Sequence, residues 1–170
     1  CAYDFRTQHF TTYNKNNSGM NANNINVIRF DKNSGMIWIG YNNGGMQLFD
    51  VRKRIFSKRY ETKINSIYDL LLHDTTAYVA SIINSLKKAS SPDAFQRKRY
   101  SGKAAITINC ILNASNNRLF CGAWDNALHE FDYDTKLLKS YIFDGSDSLN
   151  YSADEIISMA EDDRGILWCG

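Results

Sequence analysis

The sequence predicts an all-β fold made of small four-stranded antiparallel sheets strung one after another. Three observations predict it. The chain repeats itself at a period near 41 residues; each unit holds short apolar runs parted by strong turn signals; and the composition is 13% aromatic with a single proline and ten glycines. The rest is ordinary for a globular chain: 170 residues, 44% hydrophobic and 22% charged, which excludes disordered and collagen-like classes. A net charge of +2 gives no reason to expect a polyanion partner. No run reaches the about 18 apolar residues that a membrane span needs. Nor does the start, at Cys1, show the basic and apolar stretches of a signal peptide.

The repeat is read by laying INVIRFDKNSGMIWIGYNNGGMQLFD, residues 25–50, over INCILNASNNRLFCGAWDNALHEFD, residues 108–132. Ile25 falls on Ile108, Asn26 on Asn109, Ile28 on Ile111, Trp38 on Phe120, Gly40 on Gly122 and Asp50 on Asp132. Gly40 and Gly122 are 82 residues apart, as are Asp50 and Asp132, and half of 82 is 41. In the first of these units, residues 25–30 are β-rich and Asp31-Lys32-Asn33-Ser34-Gly35 is a turn cluster. Met36–Gly40 is apolar, Asn42-Asn43-Gly44-Gly45 is hairpin-turn chemistry, and Met46–Phe49 is apolar again. Beyond Asp50, Val51-Arg52-Lys53 turns the chain into a more polar last strand ending near Tyr60. The first three strands are apolar at nearly consecutive positions, as expected where neighbouring sheets cover both faces. A period near 41 with four antiparallel strands per unit is the pattern of a β-propeller blade.

A degenerate copy is expected midway. Ile64, Ile67, Tyr78 and Ala80 take the places of Ile25, Ile28, Trp38 and Gly40. The closing segments Phe56–Tyr60, Phe95–Tyr100 and Leu138–Tyr141 put their tyrosines 40 and then 41 residues apart. By local propensity residues 65–90 pass for helix, but a helix there would break a ring of sheets, so repeat register outweighs propensity. Ser85–Asp93, with its Ser-Ser-Pro-Asp, reads as an enlarged loop. At the two ends, Tyr3-Asp4 matches Phe49-Asp50, and ADEIISMAEDDRGILWCG matches the first half of a unit. The expected organisation is therefore the end of a truncated blade over 1–20, a blade over 21–62, a degenerate blade over 63–102, a blade over 103–148 and the start of a truncated blade over 149–170. That amounts to a β-propeller fragment of about four blades.

With these motifs laid out, the chain resembles the two-component regulator propeller repeat, V-x-x-I-x-x-D-x-x-G-x-I/L-W-I/V-G-T-x-x-G-L/I-x-x-Y/F-D/N. NNINVIRFDKNSGMIWIGYNNGGMQLFD carries it most fully, and Asp162, Gly165, Trp168 and Gly170 mark its first half again. The third unit departs with Phe120 for Trp and Asn117 for Gly, and the second departs further. The resemblance implies the periplasmic sensor region of a membrane-anchored hybrid two-component regulator. Such a region detects oligosaccharides, works as a homodimer alongside the remaining blades of its propeller, and signals to a histidine kinase. It implies no enzymatic activity for this segment and no cofactor.

The site candidates follow from register. Trp38 and Trp168 recur inside an apolar strand, which favours packing between sheets over stacking on a sugar. Cys1, Cys110, Cys121 and Cys169 match no CxxC or zinc spacing. Cys110 stands at the register of Val27, and Cys121 and Cys169 at that of Ile39, so the cysteines read as free core thiols and no metal site is expected. Trp124 aligns with Asn42 in the loop after the second strand, where other units are polar. With Asp125 and Asn126 beside it, it suits a sugar contact: the ring face stacks on a pyranose and the polar groups bond its hydroxyls. The competing role is to cover a loop or an interdomain contact. Tyr41, Asn42 and Asn43 are the equivalent rim in the first full unit, although Asn-Asn-Gly-Gly is also plain turn chemistry.

The other polar groups read as structural. Asp31, Asp162 and Asp163 lie in turns, and Asp4, Asp50 and Asp132 recur at strand ends, placed to bond backbone amides. His9, His73 and His129 stand at three different registers, so no catalytic cluster is expected. Arg52-Lys53-Arg54, Lys58-Arg59 and Arg97-Lys98-Arg99 fall around outer strands, where charge discourages edge pairing, and no nucleic-acid role is read from them. No phosphate loop, nucleophile elbow or kinase motif occurs. Since a propeller does not fix function, a lyase- or hydrolase-like enzyme on this scaffold and a protein-interaction propeller stand as rivals to the sensor.

Overall fold

The computed structural model describes residues 1–57, 66–74, 76–81, 85–89, 107–124, 127–133, 137–142 and 155–170. A hairpin of β1 (Ala2–Asp4) and β2 (His9–Thr11) comes first. The first full sheet holds β3 (Ile25–Asp31), β4 (Met36–Tyr41), β5 (Met46–Asp50) and β6 (Ile55–Phe56) in sequential order. The second holds β7 (Ile67–His73), β8 (Thr76–Ser81) and β9 (Ser85–Ala89). The third holds β10 (Ile108–Asn113), β11 (Leu119–Ala123), β12 (Ala127–Phe131) and β13 (Leu137–Ile142), and β14 (Met159–Glu161) pairs with β15 (Leu167–Cys169) in a last hairpin. Among the described residues there is no helix, and the stretch that passes for helix by propensity forms β7, β8 and β9.

Local chemistry explains why the chain turns where it does. In the first β3–β4 turn, Asp31 Oδ1 accepts from the Asn33 amide at 2.9 Å, Oδ2 accepts from Ser34 Oγ at 2.6 Å, and Gly35 closes the turn at φ 71°. After β5, Asp50 Oδ1 accepts from the Arg52 and Lys53 amides, both at 2.9 Å. Asp4 Oδ1 does the same for Arg6 and Thr7, at 2.9 and 3.4 Å. These aspartates are turn staples, the role their recurrence pointed to. Asn117, standing where the repeat has glycine, takes the left-handed φ of 59° that asparagine tolerates.

The sheets stack through their first strands: β3 packs on β7, β7 on β10 and β10 on β14. Each of β3, β7 and β10 carries a bulge at one place, between Ile25 and Val27, Ile67 and Asp69, and Ile108 and Cys110. The core is a series of apolar layers between sheets. Val27, Trp38, Met46, Leu48, Ile67, Leu70 and Val79 fill the first, and Tyr78, Ile108, Ile111, Leu119, Cys121 and Phe131 the second. Ile67 is 0% exposed, and burial of such a side chain contributes about 1.5–3 kcal/mol. Its place depends on Gly40, since a Cβ there would lie 2.6 Å from Ile67 Cγ2. Gly122 stands in the same relation to Ile156, at 2.5 Å.

Several expectations need correction. Ser85–Ala89 is not loop: it is β9, pairing with β8 from Ser81↔Ser85 to Ala77↔Ala89. The rest of that expected loop, Tyr60, Lys58-Arg59 and Phe95–Tyr100 lie outside the described residues. In the second sheet Tyr78 and Ala80 do match Trp38 and Gly40, but the first strand is displaced. Ile67, not Ile64, holds the register of Ile25, and Leu70 that of Ile28. The cause is a β7–β8 turn two residues shorter than the β3–β4 turn. Cys110 and Cys121 are buried free thiols, whereas Cys1 and Cys169 are exposed. Trp168 is likewise 59% exposed, because no described sheet covers the outer face of its hairpin. Its indole N–H donates to Asp162 Oδ2 at 3.1 Å.

Candidate functional site

The turns leaving β4 and β11 and the segments entering β3, β7, β10 and β14 gather at one end of the strands. At the first such corner Asn42 and Asn43 are exposed, as the rim reading requires. Ser66 Oγ lies between them, donating to Asn42 Oδ1 at 3.0 Å or Asn43 Oδ1 at 3.2 Å, while the Asn43 amide donates back to it at 3.3 Å. Asn43 at φ 60° and Gly45 at φ 67° hold the hairpin in its left-handed turn.

Tyr41 does not belong to the rim. It is 0% exposed, its hydroxyl donating to Gln47 Oε1 at 2.7 Å, and burial pushes its pKa up to about 12. Gln47 Nε2 in turn donates to the carbonyls of Gly19 and Ser57, at 2.9 and 2.8 Å. Tyr41 is thus a pin between β4, β5 and the segment before β3. The register explains the error: Tyr41 and Asn42 are consecutive strand-end residues and face opposite sides of the sheet.

Trp124 takes the place of Asn42 in the third sheet and is 54% exposed. Its backbone amide donates to Thr107 O at 3.1 Å and its indole N–H to Asn109 Oδ1. Asn109 Nδ2 reaches Glu155 Oε2 at 3.4 Å and Ile156 O at 3.3 Å. The ring is therefore held at its nitrogen edge with much of its surface open and the exposed Glu155 nearby. That arrangement supplies a stacking face together with a hydrogen-bond acceptor. Asp125 and Asn126 lie outside the described residues. Asn109 and Glu155 were missed by sequence reasoning. The signal for Asn109 was present in its alignment with Asn26, whose Nδ2 bonds Ile67 O at 3.0 Å in the same inter-sheet position.

At the opposite end of the strands the carboxylates are set by their turns. Desolvation pushes the Asp31 carboxyl up, but Ser34, the amides of Asn33 and Ser34 and the neighbouring Trp38 indole together hold it below its usual value. Asp162 is held low by the Ile166 amide first, then by the Trp168 indole and Arg164. His9 is exposed, and His129 is buried with Nδ1 2.8 Å from Ser140 Oγ. Among the described residues no three His, Cys, Asp or Glu side chains are placed to hold a metal. Nor is any described helix long and apolar enough to cross a membrane.

No family model matches the sequence, and no curated protein sequence matches it. Solved structures do. The extracellular domain of the putative hybrid two component system BT3049 from B. thetaiotaomicron superposes over 99% of this chain at a TM-score of 0.77 and 16% identity. The WD40 propeller domain of Doa1 follows over 86% of the chain (TM-score 0.64, 13% identity), and the Neurospora crassa Pan2 WD40 domain over 70% (TM-score 0.57, 16% identity). The sheets are blades of a β-propeller. At such identities the likeness is one of fold, and the chain spans only 22%, 47% and 38% of those three structures.

Proposed function

We propose that the chain is a ligand-sensing propeller segment of a membrane-anchored hybrid two-component sensor, its ligand an oligosaccharide met at the rim around Trp124. The observation that carries the reading is the pinned, half-open Trp124 indole beside Glu155, on a chain 99% of which is covered by its likeness in fold to part of the extracellular domain of a putative hybrid two component system. The sequence resemblance to the regulator-propeller repeat supports it independently. In this reading the segment performs no catalysis and lies in the periplasm. Ligand binding favours one arrangement of a homodimer, and that differential affinity biases a histidine kinase across the membrane.

A glycan array probed with the chain and with Trp124→Ala tests it. Binding of an oligosaccharide class, weakened about tenfold or more in the variant, is expected, since one stacked ring is worth roughly 0.5–1.5 kcal/mol beyond its buried area. Absence of glycan binding, or binding that Trp124→Ala leaves unchanged, overturns the assignment. Turnover of a glycan by the chain would favour the propeller-scaffold enzyme instead.

A further inference from the structure

The first and last hairpins are complementary halves of one sheet. β1–β2 repeats the outer half of the first full sheet, β5–β6. Tyr3 pairs with Phe10 as Phe49 does with Phe56, the ring centroids 4.6 and 4.7 Å apart. Asp4 staples its turn as Asp50 does, and further along the two turns Gln8 and Arg54 share a φ of 56°. β14–β15 repeats the inner half, β3–β4: Met159↔Cys169 and Glu161↔Leu167 match Ile28↔Ile39 and Phe30↔Ile37. In the full sheets the second strand bonds the third, β4 with β5 and β11 with β12. Among the described residues β15 has no such partner, and neither has β1.

The faces match as well as the edges. Gly40 and Gly122 each leave a notch that an isoleucine of the following sheet fills. Ile67 Cγ2 stands 2.6 Å, and Ile156 Cγ2 2.5 Å, from where a Cβ would lie. Gly170 holds the same place in β15, but among the described residues only Ser158 Oγ, at 3.4 Å, comes near its notch. Trp38 packs in one cluster with Leu70 and Leu72 of the following sheet, whereas Trp168 at the same register stands exposed. On the first sheet the counterparts of Ile67, Leu70 and Leu72 are Ile25, Ile28 and Phe30. Ile28 and Phe30 are exposed and Ile25 is half-buried. The last hairpin thus offers the notch and the uncovered ring, and the first sheet offers the side chains that fit them.

From this geometry we infer that the chain docks head to tail on a second copy of itself, β15 of one copy pairing with β1 of the other to complete a four-stranded blade. Ile25 of the second copy enters the Gly170 notch, and its Ile28 and Phe30 cover Trp168. The ladder of β4 and β5 sets the register: Met36↔Asp50, Ile37↔Phe49, Trp38↔Leu48 and Ile39↔Gln47 become Ile166↔Asp4, Leu167↔Tyr3, Trp168↔Ala2 and Cys169↔Cys1. Backbone pairing supplies affinity at such an edge, and alternate side chains supply the register. The contact joins two different surfaces, so it closes a ring where the rotation allows. Two copies that close on each other hold three sheets each and two shared ones, within the about four to eight blades that propellers use. Trp124 takes no part, so the contact holds whether or not the rim binds a glycan.

The exposed thiols of Cys1 and Cys169 report the register directly, because residues opposite each other in an antiparallel ladder have Cα atoms about 4.5–5.5 Å apart. The test mixes Cys1→Ser chains with Cys169→Ser chains and bridges thiols with dibromobimane. Each variant keeps one of the two cysteines, so a bridge from Cys1 to Cys169 can form only between chains. A fluorescent species of two or more chains carrying that bridge is expected from the mixture. Gly170→Val should weaken association about tenfold or more, since its side chain fills the notch in the contact yet meets nothing nearer than Ser158 Oγ in the single chain. Four results would each overturn the inference: a monomer at every concentration; a Cys1–Cys169 bridge in the native chain but not in the mixture; bridges joining only Cys1 to Cys1 or Cys169 to Cys169; or association untouched by Gly170→Val.

Discussion

Asp69 is the one described carboxylate that three successive sheets share. It lies on β7, replacing the Val27 and Cys110 of the other bulges, and its Oδ1 meets Arg29 Nη2 of the first sheet at 2.6 Å. Its Oδ2 accepts from the Ile111 amide of the third sheet at 2.9 Å. Burial pushes its pKa up, against the pull of the Ile111 amide and then of Arg29. The folded chain therefore holds this proton more tightly than the unfolded chain. The stability contributed by protonation is fully present below the ordinary value of 3.8 and is lost as pH rises through the raised value. Asp31, held low, works the other way: its contribution is present above 3.8 and is lost as pH falls through its lowered value. Two outcomes follow for denaturant melts across pH. Asp69→Asn should remove the loss of stability that this carboxyl contributes as pH rises above 3.8, leaving the opposite contribution of Asp31 in place. Asp69→Ala should cost about 1–3 kcal/mol at neutral pH by leaving the Ile111 N–H without an acceptor, while Asn keeps that acceptor and loses less. Equal losses for Asn and Ala would refute the clamp.

Where neighbouring sheets touch, the decisive feature is the glycine of the second strand. A Cβ at Gly40 would meet Ile67 Cγ2 at 2.6 Å and Val27 Cγ1 at 2.7 Å, so a residue from the next sheet occupies the room the missing side chain leaves. Gly40→Ala should cost about 1–3 kcal/mol as overpacking, and Ile67→Ala about 2–5 kcal/mol as a cavity. Together they should cost less than their sum, because the alanine methyl then enters the space Ile67 has left. Additive losses would show that the two do not share that space. This glycine is also why the second strand was the most legible element. Trp-Ile-Gly and its variants stand at a fixed register because the next sheet imposes it. The first strand of the second sheet was misplaced because its Asp-x-x-Gly turn has shrunk to a hairpin at Asp74, which removes the landmark that fixes the spacing. β9 was taken as loop because Ser-Ser-Pro-Asp follows it closely, and pairing with β8 outweighs that local signal.

Across the whole molecule, exposure at equal register depends on whether a sheet has neighbours. Leu70 and Ile111 are 1% and 7% exposed, while Ile28, their counterpart on the first sheet, is 51% exposed. Trp38 and Phe120 are 7% and 6% exposed against 59% for Trp168. No single-residue signal separates these cases, and for that reason Trp168 and Cys169 were expected in the core. The same gap limited the rim. Trp124 was legible as an aromatic in a polar register, but Glu155 comes from the next hairpin, and only the packing of β10 on β14 brings the two sheets together. Ile28 and Phe30 on the first full sheet, and Ile157 and Trp168 at the last hairpin, are exposed apolar side chains at the two ends of the series, of the kind a propeller covers with a further blade. Expressed as residues 1–170, the chain should therefore self-associate, its sedimentation coefficient rising with concentration. Ile28→Lys combined with Trp168→Lys should reverse this with little loss of stability, because both positions already face water. A native chain that sediments as a 19.4 kDa monomer at every concentration would mean that these faces need no partner, and the blade-covering argument would fail with it.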